Sequence, residues 1–466
     1  MEQKDLSLGR ASLVFGSAVL TVVLTLRLKV GLSLPILSGV AAACLGTWSL
    51  GLGWARIQEE MFKGILDGLP AVAILLLVGM TVGLWIAGGA IPTMIWYGLR
   101  WLSPKGIVPA ACILTALASV ATGTSFGTIS TLGLALMGVG EATGVPLPLL
   151  AGAIVSGSYF GDKMSPLSDT TNIAPAVSGG TLYEHVSSMV YTTMPAFLLS
   201  LTGYYFLGRG STGEFTGASS ISSLTSGLEA SFRLGPLTLV PVLVLLVLSV
   251  KKVPAIPALS VSLLVAGGIA RVSQGLGIAQ MAKIAVEGNV SATGNGFLDR
   301  LLTRGGLNSM MPTVLLILGA TAMGGVLRAS GAPDRLVREL LDRVKTTSGL
   351  VISVIASCYA VLLASGNQML AIILPGQAFK ESFAARGLHP KVLSRTLEDA
   401  GTLGAPLVPW STASLFILTM LKIPASQYAP YALLNWLTPL VAIAYALTGK
   451  FMFRKNHHSE EGDHDR

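Results

Sequence analysis

The chain has 466 residues, of which 52% are hydrophobic and only 12% charged, about half the charged share of a soluble domain. That composition excludes an ordinary globular protein, and the net charge of +8 reads as basic cytoplasmic loops rather than a nucleic-acid footprint. No nucleotide-binding motif occurs, and Cys44, Cys112 and Cys358 lie in apolar runs without CxxC or Cys/His spacing, so no cofactor is expected.

The polar start, with Glu2, Lys4, Asp5 and Arg10, lacks a small-residue cleavage site and leads into apolar runs at Ala11–Leu28, Leu32–Gly53 and Leu69–Ala87. These are expected to span a bilayer. Ile91–Leu102 is short and amphipathic, with Trp96, Tyr97 and Trp101 suited to the membrane interface. Ile107–Val139 is interrupted by Thr122–Thr128, a Thr/Ser/Gly stretch. Leu147–Ala176 is a broken segment, and Met189–Leu207 a further span. Gly208–Ser231 is rich in Gly, Ser and Thr and reads as a mobile linker. The pattern then restarts: Pro236–Val250, Ile256–Ile269, Met311–Leu327, an amphipathic Ala332–Lys345, an interrupted Leu350–Phe379, a broken Val392–Leu421 and a last span from Tyr428.

The restart is a repeat. Pro70, Gly83, Ala87, Gly89 and Ala90 recur 242 positions later as Pro312, Gly325, Ala329, Gly331 and Ala332. At a shift of 240, Ser125, Leu134, Glu141, Gly161, Pro166 and Leu167 meet Ser365, Leu374, Glu381, Gly401, Pro406 and Leu407. As one helix, Ile107–Val139 would be roughly 50 Å long, too long for a ~30 Å hydrocarbon core. A re-entrant hairpin folded at Gly123–Gly127 fits better. Each half then holds about five spans plus a hairpin and a broken helix, and the odd number inverts the second half. Basic residues agree. Only Arg100 and Lys105 flank the first hairpin, whereas Arg328, Arg335, Arg338, Arg343, Lys345, Lys380, Arg386 and Lys391 flank the second. The expected fold is an all-α polytopic membrane protein of two inverted-topology repeats, residues 1–207 and 234–453, joined by a flexible linker at 208–233 and ending in a polar tail at 454–466. Both termini are expected in the cytoplasm.

Polar groups at membrane depth mark ion or proton pathways. The stretch Ser156–Ala174 carries Asp162, Lys163 and Asp169 around Pro166, and the second break carries Glu398, Asp399 and Thr402. With the hairpin tips they form a site of hard oxygen donors suited to Na⁺ or Li⁺. Asp162 and Asp169 are the candidate carboxylates shared by Na⁺ and H⁺. Thr170, Asn172, Ser125, Thr124, Asn367, Gln368 and Thr402 are the neutral donors, with Glu398 and Asp399 as a second acidic pair. Na⁺ itself is assigned to Asp162, Asp169, Asn172 and Asn367. A carboxylate there holds either a proton or a cation, which is the simplest chemistry of an antiporter. In the competing structural reading, Asp162 pairs with Lys163, and Glu398 or Asp399 with Arg395. An exchanger of small carboxylates or amino acids coupled to Na⁺ and H⁺ is the alternative function; Lys163 is the only basic residue within a break that could favour it. An intramembrane aspartyl protease would need two facing aspartates with water between them and would have no use for the repeat.

Phe160-Gly-Asp-Lys-Met-Ser-Pro-Leu-Ser-Asp-Thr-Thr-Asn172 resembles the signature of the NhaC-type Na⁺/H⁺ antiporter family, within the ion transporter superfamily. The resemblance extends in length and layout over nearly the whole chain. It implies a bacterial or archaeal inner-membrane carrier, often a homodimer, with cation sites near hairpin tips and helix breaks. The family includes sodium-linked malate/lactate exchangers. Ser365-Gly-Asn367 departs from the Ser-Asn-Thr tips of carboxylate-transporting relatives in the superfamily.

Overall fold

A computed structural model describes residues 6–28, 31–102, 106–210 and 218–454. Among the described residues it is built from helices, without a β-ladder beyond one isolated bridge between Leu388 and Arg454. Five helices are long and apolar enough to cross a membrane, or up to eight if each bent pair is one span. The expected all-α polytopic membrane fold is what the chain adopts.

Helices α1 (Leu8–Leu26) and α2 (Ser33–Ser49) pack together. The next, α3 (Trp54–Ala87), has 34 residues and is about 51 Å long at 1.5 Å per residue. It starts well before the expected Leu69, because Arg56, Glu59, Glu60 and Lys63 form an i,i+3/i,i+4 ion ladder that carries the helix beyond its apolar part. After Gly89, at φ +88°, comes α4 (Ala90–Trp101). The first interrupted segment is α5 (Ile107–Thr122), the short α6 (Ser125–Thr128), a π-turn at Ile129–Gly133, and α7 (Leu134–Ala142). Then follow α8 (Leu147–Met164), α9 (Asp169–Ser178) and α10 (Leu182–Gly210).

The expected linker is not all loop. Residues 211–217 lie outside the described set, but Ala218–Ser231 folds as helix α11. Leu228 is buried, and Glu229 accepts bonds from Trp96 Nε1 at 2.8 Å and Arg100 Nη2 at 2.9 Å. The polar tail from Lys455, together with Lys4, Lys29 and Lys105, also lies outside the described residues.

The second half runs α12 (Val240–Val250), α13 (Ala255–Gln274), the short α14 (Ile278–Glu287) and α15 (Gly296–Leu302), then α16 (Met311–Ala329) and α17 (Ala332–Asp342). The second interrupted segment is α18 (Thr347–Ser365) packed on α19 (Gln368–Ala385). Last come α20 (Pro390–Leu397), a π-turn at Glu398–Thr402, α21 (Thr412–Leu421), α22 (Ala425–Tyr428) and α23 (Leu433–Thr448).

Small residues join the two halves. A Cβ on Gly64 would lie 2.3 Å from Thr321 O, and one on Gly325 2.2 Å from Glu60 O, so α3 and α16 meet backbone to backbone. The halves also share local devices. Gly89 and Gly331, both at positive φ, precede α4 and α17. Gly123 at φ +69° and Gly366 at φ +61° end α5 and α18. At each of these two tips the next residue caps the following helix. The Thr124 hydroxyl accepts from Gly127 N at 3.2 Å, and the Asn367 amide oxygen from Met369 N at 2.9 Å.

Candidate ion site

The break between α8 and α9 follows from Pro166. Proline has no N–H and pushes the residue before it out of the helical region, and Ser165 is extended, with ψ 126°. Asp162 therefore falls in the last turn of α8. Ser168, also extended, starts α9 and returns its hydroxyl to Asp162 Oδ1 at 2.7 Å. The tip after α5 supplies Ser125, whose hydroxyl donates to Asp162 Oδ2 at 2.8 Å. One buried carboxylate is thus held by a hydroxyl from each of two interrupted segments.

This carboxylate faces a cavity of about 610 Å³. Both tips reach it, through Thr124 and Ser125 on one side and Asn367 and Gln368 on the other, and α3, α12 and α13 close it. Asp169 and Thr170 also line it, Asp169 as an exposed side chain in the first turn of α9. Asn172 does not line it: its amide donates to Pro166 O at 3.1 Å and Ser168 O at 2.7 Å, holding the break in shape.

Glu398, Asp399 and Thr402 lie apart from the cavity, fully enclosed on the π-turn. Neither ion pairing of the competing structural reading occurs among the described residues. Lys163 pairs instead with Asp399, both side chains fully buried, and the Thr192 hydroxyl donates to the same Asp399 oxygen at 2.9 Å. Lys163 follows Asp162 by one residue, about 100° around the helix, so it points away from the carboxylate beside it in sequence. Nothing in the sequence joins α8 to a residue so far along the chain. Arg395 donates to Phe451 O at 3.2 Å, and its Nε and Nη1 have no partner. The buried His185 ring meets the Ser394 hydroxyl at 2.9 Å through Nδ1, leaving Nε2 without one. Both Glu398 oxygens and Asp399 Oδ2 are likewise unpartnered. His185 and Thr192, both on α10, were missed by sequence reading because α10 looks like an ordinary span.

Two compartments result. One is open, with a hydroxyl-bound carboxylate and neutral oxygens. The other is sealed, with an ion pair, a second carboxylate and several unpartnered polar atoms. Among the described residues no three His, Cys, Asp or Glu side chains converge; the carboxylate, hydroxyl and amide oxygens that line the open compartment are hard donors of the kind an alkali cation takes.

A sequence profile described as the Na⁺/H⁺ antiporter family matches residues 157–450. The chain is 38% identical over 426 residues to an uncharacterized Na⁺/H⁺ antiporter of Haemophilus influenzae, covering 89% of this chain and 90% of that one. It is 33% identical over 449 residues to the Na⁺/H⁺ antiporter NhaC of Alkalihalophilus pseudofirmus, covering 96% and 97%. It is 34% identical over 440 residues to a malate-2H⁺/Na⁺-lactate antiporter of Bacillus subtilis, covering 94% of each.

Proposed function

This chain belongs to the Na⁺/H⁺ antiporter family, and from that premise we propose that its exchange of Na⁺ for H⁺ takes place at Asp162. The observation that carries the assignment is position: Asp162 is only 7% exposed yet lines the cavity. Asp67 and Asp169 line it too, but Asp67 is already bonded to Arg328 at 2.8 Å, and Asp169 is exposed. A buried carboxylate is costly as a bare charge, so it binds either a proton or a cation. Na⁺ on Asp162 would find the Ser125 hydroxyl and, across the cavity, Thr124, Asn367 and Gln368. Protonation removes the charge that Na⁺ needs, and Na⁺ drives off the proton. Asp169 would draw cations into the cavity.

In proteoliposomes with an internal pH dye, Asp162→Asn should abolish Na⁺-driven proton movement in a protein that still elutes as a folded species. Exchange at the wild-type rate in that variant would refute the assignment.

A second reading is favoured by volume. The cavity of about 610 Å³ lies within the ~300–1,000 Å³ of small-molecule pockets and far exceeds what a desolvated cation occupies. Lys252 lines it, so a small carboxylate or amino acid could accompany the ions. Adding malate, lactate and amino acids in turn to the same assay tests this; unchanged proton flux with all of them would exclude it.

The repeat and the distribution of basic residues support alternating access by two inverted halves, with both termini in the cytoplasm of a bacterial or archaeal inner membrane. A homodimer is proposed from the family resemblance. Surface labelling of Arg100→Cys and Lys345→Cys from one and the same side would refute the inverted arrangement.

A further inference from the structure

Glu398 has no role in the chemistry above. It is fully buried on the π-turn, neither oxygen has a hydrogen-bond partner, and it does not line the cavity. It is faced by Asp162 and Lys163 from α8, by Thr170 from α9, and by Thr402 on its own turn. Lys163 cannot neutralise it fully, because that ammonium is committed to Asp399. Arg395 and Cys358 lie by Asp399. A hydrated or bare Na⁺ has no opening to this carboxylate. A proton needs none.

A route for that proton is in place. The Ser168 hydroxyl donates to Asp162 Oδ1 at 2.7 Å, and the hydroxyls of Ser168 and Thr170 are 3.1 Å apart. Thr170 faces the Glu398 carboxyl from α9, with its hydroxyl acting on that group. Two hydroxyls thus bridge the open carboxylate and the sealed one, and Thr170 belongs to both compartments because it also lines the cavity.

We propose that Glu398 is a second proton site, filled and emptied from the cavity through Asp162 by way of the Ser168 and Thr170 hydroxyls. The step balances. Asp162 in its acid form gives its proton to Ser168. Each hydroxyl accepts one proton and passes on its own, and the Glu398 carboxylate ends as the acid. Asp162, ionised again, then takes a new proton or Na⁺ from the cavity. While Na⁺ occupies Asp162, its carboxylate cannot relay protons, so Glu398 keeps the protonation state it had. Each turnover then carries one proton more than competition at Asp162 alone. The inference rests on the assignment of Na⁺ to Asp162.

The test uses the full chain in proteoliposomes and measures the H⁺:Na⁺ ratio from the gradients at which net flux vanishes, together with ²²Na⁺/Na⁺ exchange, which needs no net proton movement. Wild type should show about two protons per Na⁺ and respond to an imposed membrane potential; Glu398→Gln should show about one and lose that response, since only a net charge moved feels the potential. In Glu398→Gln, ²²Na⁺/Na⁺ exchange should survive. A ratio of one in wild type, an unchanged ratio in Glu398→Gln, or loss of its ²²Na⁺/Na⁺ exchange would each overturn the inference. If Asp162→Asn retains ²²Na⁺/Na⁺ exchange, it is the Asp162 assignment that fails. Thr170→Val, which keeps the side-chain shape and deletes the relay hydroxyl, decides the matter should Glu398→Gln not fold. It should lower the ratio from about two protons per Na⁺ to about one, as Glu398→Gln does, while ²²Na⁺/Na⁺ exchange continues, and a ratio of about two in that variant would overturn the inference.

Discussion

Replacing Lys163 by Met tests the pair that ties the first break to the second. The Lys163 ammonium and the Asp399 carboxylate are both 0% exposed, and Thr192 donates to the same carboxylate oxygen at 2.9 Å. Methionine keeps the length and apolar stem of lysine and removes the charge. Asp399 is then left buried with one hydroxyl and the guanidinium of Arg395 nearby. Stripping one partner from a buried pair costs about 3–5 kcal/mol, and the neighbouring Arg395 argues for the lower end, about 3 kcal/mol. An exposed pair sets the scale: Lys63 and Glu59 are 2.7 Å apart with side chains 49% and 52% exposed, so Lys63→Met should cost less than about 1 kcal/mol. The double variant Lys163→Met/Asp399→Asn should recover most of the loss, because no stranded charge remains and the amide oxygen still accepts from Thr192. The assay is unfolding of the purified protein against denaturing detergent, followed by tryptophan fluorescence, for wild type, both single variants and the double. Lys163→Met within about 1 kcal/mol of wild type would refute the reasoning. So would a double variant no more stable than the single one.

Three further outcomes follow from the packing and the surface. A Cβ on Gly157 would sit 2.1 Å from Cys112 O, so Gly157→Ala should push α5 from α8 and cost about 1–3 kcal/mol; Gly268, a helical glycine with nothing within 4 Å, should accept alanine with a gain of up to about 1 kcal/mol in the same unfolding assay. Glu229→Gln breaks only an exposed pair with Arg100, 51% and 47% exposed, so it should leave global stability within about 1 kcal/mol while raising hydrogen exchange in α11. Asp299, outside the spanning helices, is held below the usual carboxylate range by the Thr293 backbone N–H and then its hydroxyl. A lowered folded value means its contribution is complete above the ordinary carboxylate pKa and fades as pH falls through the folded one. Protection of the Thr293 amide should therefore drop in acid, and Asp299→Asn should remove that pH dependence.

Most of the fold was legible because membrane helices announce themselves by length and apolarity, and because glycine and proline mark where they stop. Gly123, Gly366 and Pro166 each break the chain where the sequence says they should. The start of α3 was missed because an ion ladder prolongs a helix without any apolar signal. Helix α11 was missed because Ser and Thr mask the Leu224 and Leu228 positions that bury it. In the site, Asp162 was legible from the cost of a charge at membrane depth. The Lys163–Asp399 pair was not, since side-chain direction within a broken helix depends on where the break falls, and its partner is fixed only by tertiary packing. Asn172 was misplaced for a related reason: an amide just after a break has free backbone carbonyls within reach, and bonding to them competes with lining a cavity.

The two aspartates of the motif have the same chemistry and opposite helix ends. Asp162 lies in the last turn of α8, at the negative end of the helix dipole, and Asp169 in the first turn of α9, at the positive end. A carboxylate at a helix start is stabilised by about 0.3–1 kcal/mol at an exposed site, and one at a helix end is destabilised by a similar amount. Asp169 therefore has its charge partly answered by α9 and by solvent, and gains less from a cation. Asp162 has the Ser125 and Ser168 hydroxyls to answer its charge, in a buried place and against the dipole of its own helix. Such a carboxylate is satisfied by a proton or by Na⁺ and poorly by neither. On the proposal that Na⁺ and H⁺ share Asp162, binding there is obligatory for electrostatic reasons, and an obligatory choice between two ions would couple their movements.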